Sequence, residues 1–193
     1  IKESVGSQDQ TSAAFGGLNK ISFPSGRNKV DVQSIILNQD RYSLLEKNLM
    51  LFFTGYARNA FEIASEQIKV SLKKVPEMNS MMELTDIALG LLSDENRNLN
   101  EFGQLLGRQW KIKRTITNSI TTSEIDDIYK IGIKCGALGG KLLGAGGGGF
   151  ILFYAELEAQ EKIKQSLHKL TYVPFNFDNT GSQVIYHTHE SHI

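Results

Sequence analysis

The chain has 193 residues, enough for one domain or two small ones, and its 40% apolar and 22% charged content excludes a disordered or fibrous polymer. Basic and acidic residues balance at 21 each, so no net field exists to hold nucleic acid or an anionic membrane, and the apolar runs are too short to span one. A single cysteine, Cys135, excludes an internal disulfide and fits a reducing, cytoplasmic setting.

Taken in chain order, the first residue is Ile1 rather than Met, no signal peptide is visible, and the chain is expected to start in the middle of something. Gln8 to Ala14 predicts a helix stopped by Gly16-Gly17. Asn19 to Phe23 alternates as a strand, Pro24-Ser25-Gly26 turns, and Lys29 to Leu37 returns. A short helix spans Arg41 to Lys47, and the apolar run Leu49 to Thr54 predicts a buried strand. The next helix begins near Ala57, with Phe61, Ala64, Ile68 and Leu72 expected to face inward. Pro76 suits the first turn of a helix carrying Met78, Met81, Thr85, Ala88 and Leu92. A third helix runs from Leu99 to Lys113, with Phe102, Leu105, Leu106 and Trp110 as a core stripe.

Thr121 with Glu124 matches a capping box for a helix ending near Gly136, and Cys135 within it reads as a packed small residue. A glycine-rich segment and the strand Phe150 to Ala155 follow, then a helix from Leu157 to Leu170. Val173 to Phe177 and Gln183 to Tyr186 read as closing strands around a turn at residues 178–181. The expected class is α+β with a largely antiparallel sheet. His187, His189 and His192 belong to a tail, and the histidines make no metal case.

In the glycine segment, Gly144, Gly146 and Gly149 satisfy G-x-G-x-x-G, but a strand follows where a dinucleotide loop needs a helix. No Lys-Ser or Lys-Thr follows the last glycine, so the Walker loop fails as well. Consecutive glycines admit positive φ, close ligand approach and an anion-binding concavity of amides. A tight hairpin packed under a neighbouring element explains the same residues, and composition does not choose between them.

Residues 139–154 resemble the third motif of the GHMP kinases. Val5-Gly6-Ser7-Gln8-Asp9-Gln10, with Ala13 to Asn19, is similar to the catalytic-aspartate segment of the heptose-phosphate kinase branch. Residues 51–55, 173–175 and 181–182 also fit that branch, and the two motifs stand about 135 residues apart. The resemblance implies a ferredoxin-like C-terminal domain over residues 40–193. Residues 1–39 would be the remnant of an N-terminal domain of the ribosomal S5 domain 2-like type. It further implies ATP-dependent phosphorylation of a sugar or sugar-phosphate hydroxyl, the anomeric hydroxyl of a heptose phosphate by expectation, with a fucokinase-like or galactokinase-like enzyme or a non-catalytic sugar-binding relative as alternatives.

On that resemblance Asp9 is the catalytic carboxylate, against the alternative of a helix N-cap. Gln8 and Gln10 contact the sugar or fix the turn. Gly144, Ala145, Gly146, Gly147, Gly148 and Gly149 lie beside the nucleotide phosphates. Thr54 and Arg58 are substrate-side candidates, Arg58 reading a sugar phosphate or making a surface ion pair; Lys111 and Lys113 are weaker candidates of the same kind. The cofactors implied are ATP and Mg, whose phosphate loop and metal ligands are expected to precede Ile1. The chain by itself is then an expected inactive fragment that binds ATP weakly and self-associates through apolar residues such as Ile21, Phe23 and Ile35.

Overall fold

In the computed structural model, which describes residues 6–24, 26, 29–56 and 60–186, helix α1 (Gln8–Phe15) ends at Gly16, whose φ is 66°. Strands β1 (Asn19–Ser22) and β2 (Asp31–Ser34) form an antiparallel hairpin with Asn19 opposite Ser34. The chain divides into two contact units, one grouping Gly6–Ile36 with the segment from Phe177 onward, the other comprising Leu37–Asn176 among the described residues. Within the first, the Gly17 N–H donates to the Asp178 carbonyl at 2.6 Å and the Ser182 N–H to the Ala14 carbonyl at 3.1 Å. A Cβ on Gly16 would stand 2.3 Å from the Gly181 nitrogen, so glycine is what lets these backbones meet. The expected turn is present, with the Asp178 carboxylate accepting from the Thr180 N–H and hydroxyl at 2.9 and 2.6 Å. The strand expected at 183–186 is not formed: those residues are exposed and find no partner edge, and alternation without one cannot hold a strand.

The second unit opens with α2 (Gln39–Asn48), capped by Asn38, which accepts from the Arg41 N–H at 2.8 Å. Then come β3 (Leu49–Phe53), α3 (Ala60–Ser71), α4 (Val75–Ser93) with Pro76 in its first turn, α5 (Asn100–Lys113) and α6 (Ser123–Lys134). The chain closes with β4 (Gly139–Leu142), β5 (Phe150–Tyr154), α7 (Leu157–Ser166) and β6 (Thr171–Val173), after which Pro174 offers no N–H to continue the ladder. The strands order β4-β5-β3-β6 with every neighbour antiparallel. Helices α3 to α6 connect β3 to β4, and α7 connects β5 to β6, which is the split βαβ arrangement of ferredoxin-like sheets. The α+β expectation therefore holds.

Alternation along the central strands turns Met50, Phe52, Ile151 and Phe153 onto one core with Trp110, Ile125, Ile128 and Ile163 from the helices. The Phe153 ring stacks on Tyr129 with centroids 6.1 Å apart, and a Cβ on Gly132 would stand 2.4 Å from that ring. Two local expectations are corrected. On α3 the buried position is Ile63, with Val70 packed on the core and Ala64 half-buried, while Phe61 and Ile68, and Leu72 just past the helix end, are exposed. Both stripes have helical spacing, and only the tertiary packing around α3 decides which turns in. The cap of α6 is Thr122, accepting from the Ile125 N–H at 3.3 Å, while the Thr121 hydroxyl donates to Asp126 instead. Among the described residues no helix is long and apolar enough to cross a membrane.

Candidate functional site

The glycine segment is a hairpin whose two halves differ. In the β4 half, glycine is a packing requirement: a Cβ on Gly139 would lie 1.9 Å from the Gly103 carbonyl oxygen, and one on Gly140 2.6 Å from the Leu152 oxygen. Gly103 and Gly107 are the buried small residues that let α5 press on this strand. In the loop half, Gly144, Gly146, Gly147 and Gly149 all take positive φ, between 68° and 124°, which disfavours any other residue. Gly146 and Gly148 are also sterically closed, their Cβ positions falling 2.7 Å from the Ile120 oxygen and 2.3 Å from the Tyr56 oxygen. Gly144 and Gly149 face open space.

Three segments hold the loop. The Thr54 N–H and hydroxyl both donate to the Gly149 carbonyl, at 2.9 and 2.8 Å, and the Gly149 N–H donates to the Tyr56 carbonyl at 2.8 Å. The Gly147 N–H donates to the Ile120 carbonyl at 2.9 Å, and Gln67 of α3 donates to the Ala145 carbonyl at 2.6 Å. Among the described residues the N–H groups of Gly144, Ala145 and Gly148 reach no backbone acceptor, and residues 144–145 form a turn. A loop pinned at several points while some of its amides stay unspent can receive an anion.

The basic trio at the end of α5 separates into three environments. Lys111 is exposed. Arg114 pairs with Asp126 at 2.5 Å and lies over the Trp110 ring. Lys113 is half-buried and donates from Nζ to the Gly144 carbonyl at 2.5 Å. Lys141 of β4 donates to Gln109 Oε1 at 2.5 Å, one helical turn from Lys113. Burial first, then the Lys141 ammonium, push the Lys113 amine down to about 8; burial also lowers Lys141.

Asp9 sits exposed in the first turn of α1, in the unit that does not contain the glycine loop. Ser7 occupies the cap position, so Asp9 is not the cap. Gln8 and Gln10 are exposed beside it. Thr54 is 3% exposed and its hydroxyl is committed to the loop. Arg58, His187, His189 and His192 lie outside the described residues. Sequence reasoning missed Gln67 and Lys141. A polar residue between Ile63 and Val70 on the inward face of α3 was the available signal for Gln67, and a charge inside a glycine-rich strand was the signal for Lys141. Among the described residues no group of three or more His, Cys, Asp or Glu side chains is gathered that could hold a metal ion.

Residues 87–173 match the family model described as GHMP kinases C terminal. The chain is 31% identical over 165 residues to the D-glycero-alpha-D-manno-heptose 7-phosphate kinase of Campylobacter jejuni, covering 85% of this chain and 48% of that protein. It is 26% identical over 168 residues to the bifunctional fucokinase/GDP-fucose pyrophosphorylase of Arabidopsis thaliana, covering 85% of this chain and 16% of that one. A D-glycero-D-manno-heptose 1-phosphate kinase from Bacteroides thetaiotaomicron superposes with TM-score 0.62 at 24% identity, over 92% of this chain and 47% of its own. Mevalonate kinase from L. major superposes with TM-score 0.65 at 22% identity, over 83% and 47%. The chain thus spans about half the length of the heptose-phosphate kinase and less of the bifunctional enzyme.

Proposed function

The chain carries a GHMP kinase C-terminal domain, and on that premise we propose that the whole enzyme transfers the terminal phosphoryl group of ATP to a hydroxyl of a sugar phosphate, a heptose phosphate at its anomeric position. The observation that carries this is the glycine loop, its carbonyls held by Thr54, Gln67 and Lys113, with the amides of Gly144, Ala145 and Gly148 unspent on backbone acceptors. The similarity to a heptose 7-phosphate kinase supports the substrate class.

In this reading residues 1–39 belong to the enzyme's first domain and 40–193 to its second. Phosphoryl transfer needs a positioned oxygen nucleophile and charge stabilisation more than covalent help. Asp9, exposed and not spent on capping, orients the sugar hydroxyl and accepts its proton; Gln8 and Gln10 contact the sugar. The loop amides donate to phosphate oxygens, and their fixed geometry means little reorganisation accompanies the charge shift. Arg58 reads the phosphate already on the sugar. Magnesium would neutralise the nucleotide phosphates, and its ligands are assigned to the enzyme's other half. The 193 residues supply one side of the site and by themselves turn over no substrate.

The test is the whole enzyme with Asp9→Asn. Turnover is expected to fall by roughly 10²–10⁴, the range of a general base, with the KM for ATP unchanged. Undiminished turnover would remove Asp9 from the mechanism.

A further inference from the structure

We propose that Lys113 and Lys141 together form a seat for a phosphoryl group at the base of the glycine loop. The two ammonium groups come from different elements, the last turn of α5 and the edge strand β4. They are brought together because α5 presses on β4 through Gly103, Gly107 and Gly139. Lys141 bonds Gln109, one helical turn before Lys113; Lys113 bonds the Gly144 carbonyl of the loop, and the two ammonium groups are close enough to repel each other. Among the described residues neither lysine is ion-paired, whereas the adjacent Arg114 is. Lysines in the last turn of a helix are favoured by its dipole, which accounts for Lys113 and Lys111. It does not account for Lys141, which is on a strand and half-buried.

Two like charges held close and half out of water destabilise each other unless an anion arrives. The loop whose Gly144 carbonyl Lys113 holds also carries the Gly144 and Ala145 amides, which reach no backbone acceptor among the described residues. Paired ammonium groups on a loop with unspent amides match the oxygens of a phosphate. The proposal draws on the kinase reading only for the source of that phosphate, the nucleotide or the phosphorylated sugar.

Lysine-selective NMR of the 193-residue chain tests this, following the Lys113 and Lys141 amines through pH titrations with inorganic pyrophosphate, Mg-ATP or heptose 7-phosphate. A bound phosphate favours the charged form, so the Lys113 titration, near 8 without ligand, is expected to move up by about one unit. Lys111 in the same turn should not move. Lys113→Met and Lys141→Met should each weaken pyrophosphate binding about tenfold, the loss of a charge-assisted hydrogen bond, while Lys111→Met leaves it unchanged. A shift with heptose 7-phosphate alone assigns the seat to the substrate, with Mg-ATP alone to the nucleotide, and with both to phosphate as such. No shift with any of the three, or equal shifts at Lys111, overturns the proposal; the wild-type titration decides this even where a variant misfolds. An inactive whole enzyme whose lysines still respond would remove the kinase reading and leave the seat standing.

Discussion

Leu37–Asn176 holds Trp110, Phe52, Phe153 and Ile125 at 0% exposure, whereas among the described residues of the other unit none is buried. The first is held by close-packed side chains, the second by backbone bonds such as Gly17 to Asp178 and by the approach of Gly16 to Gly181. Side-chain burial is the larger and more cooperative source of stability. The unit carrying Asp9 should therefore open more readily than the unit carrying the glycine loop.

The sharpest way to break that contrast is to remove a large side chain from each unit. Phe153→Ala is expected to cost about 3–5 kcal/mol in urea unfolding, since the ring fills the space between Phe52, Tyr129 and Gly132. Ile21→Ala, in a strand with no buried position, should cost under about 1 kcal/mol. Equal losses would show that the unit carrying Asp9 and Ile21 owns a core of its own.

Gly139→Ala comes next, at about 1–3 kcal/mol. The new Cβ meets backbone of α5, which cannot give way as a side-chain tip does. Thermal unfolding of Gly139→Ala beside the wild type reads the loss; an unchanged midpoint would mean that α5 does not press on β4 as described.

Arg41→Met should cost about 1–3 kcal/mol. The buried guanidinium donates to the Leu91 and Leu92 carbonyls at the end of α4 and to the Arg97 carbonyl in the loop beyond it, all of which methionine would leave bare. Chemical denaturation measures it, and a neutral result would mean water replaces all three bonds.

The smallest effect is a pH dependence. The Lys113 amine titrates near 8 in the fold, below its ordinary value of 10.5. The unfolded chain therefore binds more protons between those values, and this group's contribution to stability rises with pH across that window. The midpoint of Lys113→Met relative to wild type should fall steadily from pH 8 to 10, and stay flat below 7. A flat difference throughout would mean that Lys113 is as well solvated as Lys111.

Much of this was legible from local pattern. The apolar runs of β3 and β5, the Phe102 to Trp110 region of α5 and the glycine stops at Gly16 and Gly136 were recoverable because strand period, helix period and the positive-φ cost are properties of a few adjacent residues. So was the glycine loop, though not the division of labour within it. What only the tertiary structure decided were choices between locally equal alternatives. Ile63 is buried and Val70 packs on the core, while Phe61 and Ile68 stay exposed, because of what packs against α3 from elsewhere in the chain. Thr122 rather than Thr121 caps α6. Gly139 and Gly140 are a strand because β5 pairs with them, and Lys141 stands near Lys113 because α5 presses on Gly139. Each depends on which surface arrives from tens of residues away, and spacing along the chain carries no record of that.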